Sequence, residues 1–109
     1  MPEKRDRTIE EIIEIEAEAA CLDTEGVACM SMLTSDVIAE SLLLKNPSRG
    51  IKLSKDGEAH ILDIYVEVCF GCRIPETAWN IQENVKRRVE DRKLTKVKKV
   101  NIHIEGVRP

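Results

Sequence analysis

Residues 62–107 read LDIYVEVCFGCRIPETAWNIQENVKRRVEDRKLTKVKKVNIHIEGV, and this stretch decides the fold. Its first part predicts a strand, because apolar side chains occupy every second position over residues 62–70 and share one face. Ile74-Pro75 then begins a helix, since the N–H that proline lacks would have no partner in a first helical turn. The apolar stripe of this helix consists of Ala78, Ile81, Val85 and Val89. A closing strand has Val100, Ile102 and Ile104 on its inner face.

The residues before this stretch predict a helix, a strand, a short second helix and a hairpin. Thr8-Ile9-Glu10-Glu11 is a capping box that begins the first helix, which we expect to end near Leu22. The other candidates are a strand over residues 27–32, a short helix over residues 34–44, and a hairpin whose first strand is residues 51–54 and whose turn is residues 55–57.

Together these elements predict an α+β protein in the order α-β-α(short)-β-β-α-β. The one-sided alternation in the strands indicates a sheet with one face on the core and the other mostly solvated. We therefore expect a two-layer sandwich, with the helices on one face of a small, mainly antiparallel or mixed sheet. A chain of 109 residues can bury one modest core, so residues 1–109 are expected to form a single domain.

Composition excludes several classes of protein. Hydrophobic residues make up 42% of the chain and charged residues 34%, which is typical of a globular protein and not of a disordered one. No apolar run reaches the roughly 18 to 20 residues that span a bilayer, and the N-terminal MPEKRDRT has no apolar signal-peptide core, so we expect a cytoplasmic location. Tyr65, Phe70 and Trp79 are the only Phe, Trp or Tyr residues, which leaves little material for a base-stacking platform.

Charge is unevenly distributed along the chain. Residues 1–50 hold 5 basic and 11 acidic side chains, whereas residues 51–109 hold 12 basic and 9 acidic ones. Within residues 86–99 there are 8 basic residues against Glu90 and Asp91. Halves of opposite charge can steer partners, including other copies of the same chain, although a solvated helix face followed by a polar turn explains the pattern equally well.

A lone tryptophan lies beside this basic segment. Trp79 is about 120° from Val85 on a helical wheel, on the same flank as Lys86 and Lys93. Tryptophan is enriched in binding hot spots, so this flank is a candidate surface for a partner; the alternative is that Trp79 folds over the edge of the core beside Gln82. The candidate partner surface consists of Trp79, Lys86, Arg87, Lys93, Lys96, Lys98 and Lys99.

Several segments resemble the alkaline shock proteins of Gram-positive bacteria, which are also described as envelope stress response proteins. The most specific of these segments are Ile74-Pro75 followed by Ile81-Gln82-Glu83-Asn84-Val85, and the closing Val100-Asn101-Ile102-His103-Ile104-Glu105-Gly106-Val107. Gly50-Ile51-Lys52-Leu53 and Asp63-Ile64-Tyr65-Val66-Glu67-Val68 add to the resemblance, which covers most of the chain and is weakest over residues 30–48.

The resemblance implies a context more than a mechanism. Members of this family are small cytoplasmic proteins linked to cell-envelope homeostasis, and some are held at the inner face of the membrane by an integral-membrane partner of the same family. Some self-associate, so a homo-oligomer is expected, and others are encoded alongside fatty-acid metabolism, which suggests a modulatory role there. The resemblance brings no catalytic residues, no cofactor and no metal.

The cysteines depart from the family pattern. Cys69-Phe70-Gly71-Cys72 forms a C-x-x-C motif at a position where members usually have an apolar or aromatic residue followed by glycine. A redox pair is one interpretation, but no βαβ unit of the thioredoxin kind is expected around it, and Pro75 would begin the helix some three residues beyond Cys72. A four-thiolate zinc site that adds Cys21 and Cys29 would need unusual spacing. Four free thiols in a reducing cytoplasm are the simplest interpretation.

The two histidines offer no clear chemistry. His60 has the same strand parity as Leu62 and lies near a strand end, whereas His103 has the exposed parity, between Asn101 and Glu105. Neither has a nucleophile or a second metal ligand at a useful spacing. We expect both to be exposed, hydrogen-bonded surface residues.

Three functions follow from the sequence. The first is a non-enzymatic envelope stress protein that acts by self-association or as an adaptor for a membrane-anchored partner. The second is a nucleic-acid-binding module that uses the basic segment, although the chain has an acidic net charge and no Gly-x-x-Gly loop to clamp a phosphate backbone. The third is a thiol redox protein that uses Cys69 and Cys72.

Overall fold

Two helices and four strands are present in residues 8–31 and 50–109, which are the residues that the computed structural model describes. In chain order they are α1 (Ile9–Leu22), β1 (Val27–Met30), β2 (Ile51–Asp56), β3 (Ala59–Cys69), α2 (Ile74–Asp91) and β4 (Lys96–Arg108). The predicted α+β class and the element order are confirmed. The short helix predicted over residues 34–44 lies outside the described residues.

β3 is the central strand of a mixed sheet. β4 pairs with it in parallel along its whole length, from Ala59 opposite Lys96 to Cys69 opposite Arg108. Its other edge is shared end to end by β2, which is antiparallel to residues 59–64, and by β1, which is antiparallel to residues 66–68. Because β3 and β4 are parallel neighbours joined by α2, this half of the chain is a βαβ unit.

The ends of both helices follow from local chemistry. The Thr8 hydroxyl accepts from the Glu11 amide, and the Glu11 carboxylate accepts from the Thr8 amide, each at 3.1 Å, so the predicted capping box begins α1. Pro75 lies in the first turn of α2, as predicted. Beyond the end of α2, Lys93 has a left-handed φ of 61° and donates its N–H to the Glu90 carbonyl at 3.0 Å.

Both helices pack on one face of the sheet and bury one side of β3. The inward side chains Leu62, Ile64, Val66 and Val68 are each 0% exposed. They belong to one cluster with Ile13, Ala17, Ala20 and Cys21 of α1 and with Ile81, Val85 and Val89 of α2. Full burial of one large aliphatic side chain contributes about 1.5–3 kcal/mol, so this face is the main source of stability.

Polar contacts on the solvent side hold α1 against α2. The Glu16 carboxylate accepts from Arg88 at 3.0 Å and from Arg92 at 3.1 Å, and Arg88 also donates to Asp23 at 3.0 Å. The hydrogen bonds from Arg88 to Glu16 and Asp23 raise the pKa of its guanidinium above the ordinary value. Exposed ion pairs add little stability, but this network of four charged residues orients α2 over the sheet.

One prediction about β3 is wrong. The sequence pattern places Phe70 on the core face of the strand, but β3 ends at Cys69 and Phe70 is 79% exposed. The Phe70 N–H donates to the Arg108 carbonyl at 2.7 Å, and Gly71, with a φ of 90°, then turns the chain away from the sheet. The turn therefore interrupts the alternation before Phe70 can reach the core.

β1 and β2 meet end to end beside Tyr65 of β3. The Tyr65 carbonyl accepts from the Ser31 amide at 2.8 Å, and the Tyr65 amide donates to the Gly50 carbonyl at 2.7 Å. Gly50 has a φ of 80°, and a Cβ there would lie 2.7 Å from the Ser31 carbonyl oxygen and 2.8 Å from that of Tyr65. Only glycine fits this junction without displacing backbone atoms.

We predict that Gly50→Ala lowers the free energy of unfolding by at least about 2 kcal/mol more than Gly57→Ala does. Gly57 is the matched control, because it also has a positive φ, 68°, but a Cβ there meets nothing within 4 Å. Both variants carry the cost of a left-handed alanine, and only the first adds a clash with backbone. Urea unfolding monitored by circular dichroism measures the difference, and equal losses in the two variants would contradict the close packing at Tyr65.

Candidate partner surface

Three of the predicted basic residues line one open cleft where α2 leads into β4. Lys86 projects from α2, Lys93 from the turn and Lys96 from the start of β4, and the cleft has a volume of about 900 Å³. The turn is held in place by Glu90, whose carboxylate accepts from the Val97 amide at 3.0 Å. The cleft is also lined by Asp56, Glu58, Ala59, Glu90, Leu94 and Thr95.

The other predicted basic residues lie elsewhere. Lys98 pairs with Asp56 at the tip of the β2–β3 hairpin. Lys99 lies opposite Ile61 in the register, and is exposed. Arg87 donates to Asn84 at 3.0 Å and lines a different, smaller cleft with Arg88 and Asp91. The structure thus brings Lys86, Lys93 and Lys96 together and places Lys98 at the border of the cleft through its pair with Asp56. Arg87 and Lys99 lie apart from the cleft, because the sequence segment crosses a helix, a turn and a strand.

Trp79 lies beside the edge of the sheet and is 59% exposed. Gln82 follows one helical turn later on the same flank of α2, and its side-chain amide donates to the Val100 carbonyl at 2.9 Å. This contact shows that the flank overhangs β4. Trp79 is not among the side chains that pack against the core, and more than half of its surface remains available.

Sequence reasoning missed the acidic side of the cleft. Asp56 and Glu58 come from the β2–β3 hairpin, which is distant in sequence from the basic segment, and Glu90 lies within that segment. The alternating strand pattern indicates the hairpin but not its position relative to β4, since only the parallel register of β3 and β4 places Ala59 opposite Lys96. The cleft is therefore mixed in charge and not uniformly basic.

A second polar group lies on the sheet face opposite the helices. Asp63 accepts from the Asn101 side chain at 3.1 Å, and its same oxygen lies 3.0 Å from His103 Nε2. The His103 ring stacks on Tyr65, with centroids 4.4 Å apart and an angle of 12° between the planes. Farther along this face Arg108 pairs with Glu67, which raises the pKa of Arg108 above its ordinary value. The polar parity of both strands predicts these positions, but their pairing requires the register.

The C-x-x-C motif connects β3 to α2. Cys69 is exposed and Cys72 is partly buried, and both thiols are free. Cys72 packs against the core and lies just before Arg73, the N-cap of α2. Contrary to expectation, the motif lies in a βαβ unit, and α2 begins at Ile74, nearer to Cys72 than the expected three residues. A redox role for this pair remains a prediction.

The structure does not bring the four cysteines together. Cys21 is 0% exposed in the core, whereas Cys69 is at the exposed end of β3. Within residues 8–31 and 50–109, no three His, Cys, Asp or Glu residues are arranged to hold a metal ion. Burial, and then the charge of Glu18, raises the pKa of the Cys21 thiol to about 12. Cys21 therefore stays protonated and acts as a small apolar residue.

The prediction for His60 is wrong, because the residue is only 3% exposed. Its parity with Leu62 places it on the core face, where Nδ1 lies 2.7 Å from the Thr95 hydroxyl and Nε2 lies 3.6 Å from a Glu10 carboxylate oxygen. His60 therefore connects the start of α1 to the turn before β4. His103 is partly exposed and paired with Asp63, as expected of a hydrogen-bonded surface residue.

A family model described as "Asp23 family, cell envelope-related function" matches residues 3–109. The chain belongs to the Asp23 family. The family name does not refer to the residue Asp23 of this chain. This is the alkaline shock protein family that the sequence segments resemble, so that prediction is confirmed. The family description names a role at the cell envelope and no chemical reaction.

Curated members of the Asp23 family come from Gram-positive bacteria. The chain is 35% identical to the uncharacterized protein YloU of Bacillus subtilis over 100 residues, covering 90% of this chain and 83% of YloU. It is 30% identical to YqhY of the same organism, covering 89% of this chain and 72% of YqhY. It is also 30% identical to Spy1535 of Streptococcus pyogenes, covering 88% of this chain and 73% of that protein.

Solved structures of a different protein share the fold. A variant of MamM CTD superposes with a TM-score of 0.55 and 14% sequence identity, covering 91% of this chain and 99% of that chain. A second MamM CTD variant, in a zinc form, superposes with a TM-score of 0.52 and 13% identity, covering 93% and 86% of the two chains. At such low identity the likeness concerns the fold alone. Neither helix in the described ranges of the present chain combines the length and the hydropathy needed to cross a membrane.

We predict that Cys21 makes the protein less stable at alkaline pH. The unfolded thiol ionises near 9.0 and the folded one near 12, so the folded state holds one more proton between these values. The stability that this proton contributes is fully present below pH 9.0 and is lost as pH rises towards 12. Between about pH 8 and about pH 10.5, the wild type should lose about 2 kcal/mol more than Cys21→Ala does.

Urea unfolding at the two pH values measures this loss for each protein, so the cavity that Cys21→Ala leaves at both pH values cancels. Cys69→Ala is the matched control, because it removes an exposed thiol and should keep the wild-type pH dependence. An equal loss in Cys21→Ala and the wild type would show that the buried thiol does not cause the decline.

Proposed function

We propose that this chain is a non-catalytic assembly protein of the cell envelope, which self-associates and docks on a membrane-anchored partner from the cytoplasmic side. The observation that carries the proposal is the exposure of Trp79, 59%, on a helix flank that overhangs the edge of the sheet. A large aromatic side chain left in water costs free energy that burial in an interface recovers. The envelope-related family supplies the setting.

The cleft at the end of α2 supports contact with a folded protein. Lys86, Lys93 and Lys96 alternate there with Asp56, Glu58 and Glu90. Asp56 already pairs with Lys98, but the carboxylates of Glu58 and Glu90 would repel a polyanion such as RNA or DNA. A protein surface can instead offer charges of both signs in matching positions. The cleft thus favours a protein partner over a nucleic acid, although the nucleic-acid alternative still predicts binding that weakens steeply with salt.

A modulatory role in fatty-acid metabolism fits the same arrangement, since an assembly protein can act by holding an enzyme near the membrane.

The thiol redox alternative depends on Cys69 and Cys72 alone. It predicts a reversible disulfide between them, and replacing both with serine without changing stability or growth under oxidative stress would remove its basis.

We predict that a photo-crosslinking amino acid at position 79 captures a partner in cells. The side chain there should crosslink to an integral-membrane protein or to another copy of the chain, because the exposed indole marks the contact surface. Trp79→Ala should weaken the same association about tenfold or more, yet change the free energy of unfolding by less than about 1 kcal/mol.

Leu22 provides the matched control position, because it is also apolar and 50% exposed but lies at the end of α1. A crosslinker at position 22 should give little product with the same partner. Crosslinking of equal yield from both positions, or none from position 79, would contradict a partner surface on the α2 flank.

A further inference from the structure

The far edge of β4 is long, and no other strand in the described part of the chain pairs with it. β4 has 13 residues, and within residues 8–31 and 50–109 it pairs only with β3. An unpaired edge exposes a row of N–H and C=O groups that can bind another strand. β1 and β2 also have outer edges, but they contain only 4 and 6 residues.

The register shows which groups face outward. The N–H and C=O of Tyr65 are bonded towards β1 and β2, so those of its neighbours Ile64 and Val66 point towards β4. In a parallel pair each residue bonds to the two neighbours of the residue opposite, and Ile64 lies opposite Ile102. Asn101 and His103 therefore bond to β3, and the N–H and C=O of Ile102 point to the open edge.

The same alternation applies two residues to either side. Val100 and Ile104 share the phase of Ile102, and the bond from Gln82 to the Val100 carbonyl confirms that this carbonyl points away from β3. The open edge thus presents the N–H and C=O of Ile102 and Ile104 and the N–H of Val100, whereas the Val100 carbonyl already accepts from Gln82. Their side chains lie on the helix side of the sheet, and those of Lys99 and Glu105 are exposed.

We propose that two copies of this chain pair through β4, antiparallel and about a two-fold axis at Ile102. This interface rests on the self-association in the proposed function and names the surface that mediates it. In this register Ile102 lies opposite Ile102 of the second copy, Val100 opposite Ile104, and Asn101 opposite His103. Lys99 lies opposite Glu105 of the second copy, so each end of the ladder has a pair of opposite charges.

Hydrogen-bond phase and charge select this register together. The outward N–H and C=O of Ile102 and Ile104 and the outward N–H of Val100 face the second copy in the phase that an antiparallel ladder requires, and the Val100 carbonyl keeps its bond from Gln82. Moving the axis by one residue to His103 keeps that phase but sets Lys99 opposite Val107, which removes the charge match. A strand that carries lysines near one end and a glutamate near the other is complementary to itself only when it is antiparallel.

Trp79 adds apolar area to the interface. The α2 flank overhangs the β4 edge, as the contact from Gln82 to Val100 shows, and Trp79 lies one turn towards the start of α2. Because α2 and β4 run in opposite directions in a βαβ unit, this places the indole nearer to Ile102 than to Val97. A second copy at that edge covers its exposed surface.

Charge reversal tests the proposal. Lys99→Glu sets two glutamates against each other at each end of the homodimer, and Glu105→Lys sets two lysines against each other. Each variant alone should raise the dimer dissociation constant about tenfold or more. An equimolar mixture should recover the wild-type value to within about threefold, because in the heterodimer every facing pair is again one glutamate and one lysine.

Sedimentation velocity on the full chain over a wide concentration range measures the dimer dissociation constant of the wild type, of each variant and of the mixture. Lys55→Glu, the same change at an exposed position on β2, is the matched control and should leave the dissociation constant unchanged. Recovery in the mixture also shows that both variants are folded.

Self-association that neither variant weakens, or that the mixture does not restore, overturns the β4 interface and leaves the proposed function standing. A wild type that stays monomeric at every concentration overturns both the interface and the self-association in the proposed function, and leaves only docking on a membrane-anchored partner. The proposed function itself fails separately, through the absence of crosslinks from position 79.

Discussion

The burial of one face of β3 is the constraint on which the rest of the structure depends. Leu62, Ile64, Val66 and Val68 are completely buried, and both helices as well as the flanking strands are positioned by contact with them. Because side chains alternate along a strand, a shift of register by one residue would exchange this apolar row for Asp63, Tyr65 and Glu67. Such a shift would expose the core side chains and move the carboxylates of Asp63 and Glu67 into the apolar core, so the register of the sheet is fixed.

That constraint explains why much of the fold could be predicted from the sequence. Strict alternation over residues 62–68, the capping box at Thr8 and the proline in the first turn of α2 are local signals, and each indicates its element directly. The prediction that Phe70 lies on the core face was wrong, because the apolar alternation continues one position beyond the end of the strand, and the sequence does not show which residue begins the turn at Gly71. The prediction that His60 is exposed was wrong, because its strand parity with Leu62 places it on the core face despite its polar side chain.

The candidate surfaces could be predicted only in part, because they depend on the pairing between strands. The basic segment and Trp79 are visible in the sequence, but the carboxylates of Asp56 and Glu58 join Lys93 and Lys96 only through the hairpin and the parallel register. The open edge of β4 is a property of topology. The alternating pattern of residues 100–105 indicates a strand, and does not indicate whether that strand is central or at an edge.

The edge of β4 has features that protect it from pairing and also a segment that can pair with another strand. Natural sheets protect an edge with lysines and irregular pairing, and β4 has Lys96, Lys98 and Lys99 at its beginning and breaks in its register at both ends. These features leave only a short open segment about Ile102, so unlimited strand addition is prevented while a short antiparallel contact is allowed. The seven residues from Lys99 to Glu105 bury much less area than the roughly 1,600 Å² of a standard stable interface. The proposed pairing through this edge should therefore be reversible and depend on concentration.

Under the proposed function, reversible pairing would give a membrane-anchored partner of the same family a direct way to control assembly. A partner with a similar closing strand would offer a similar edge, so docking on the anchor and pairing with a second copy would compete for one β4. Recruitment to a membrane would raise the effective concentration of nearby copies. It would favour either docking on the anchor or pairing with a second copy, depending on which of the two the geometry allows. The mixed-charge cleft beside Lys93 lies at the beginning of β4, away from Ile102, and remains accessible in either state. Under the proposed function, the chain would thus exchange partners at the β4 edge and keep the cleft free for contact with another protein.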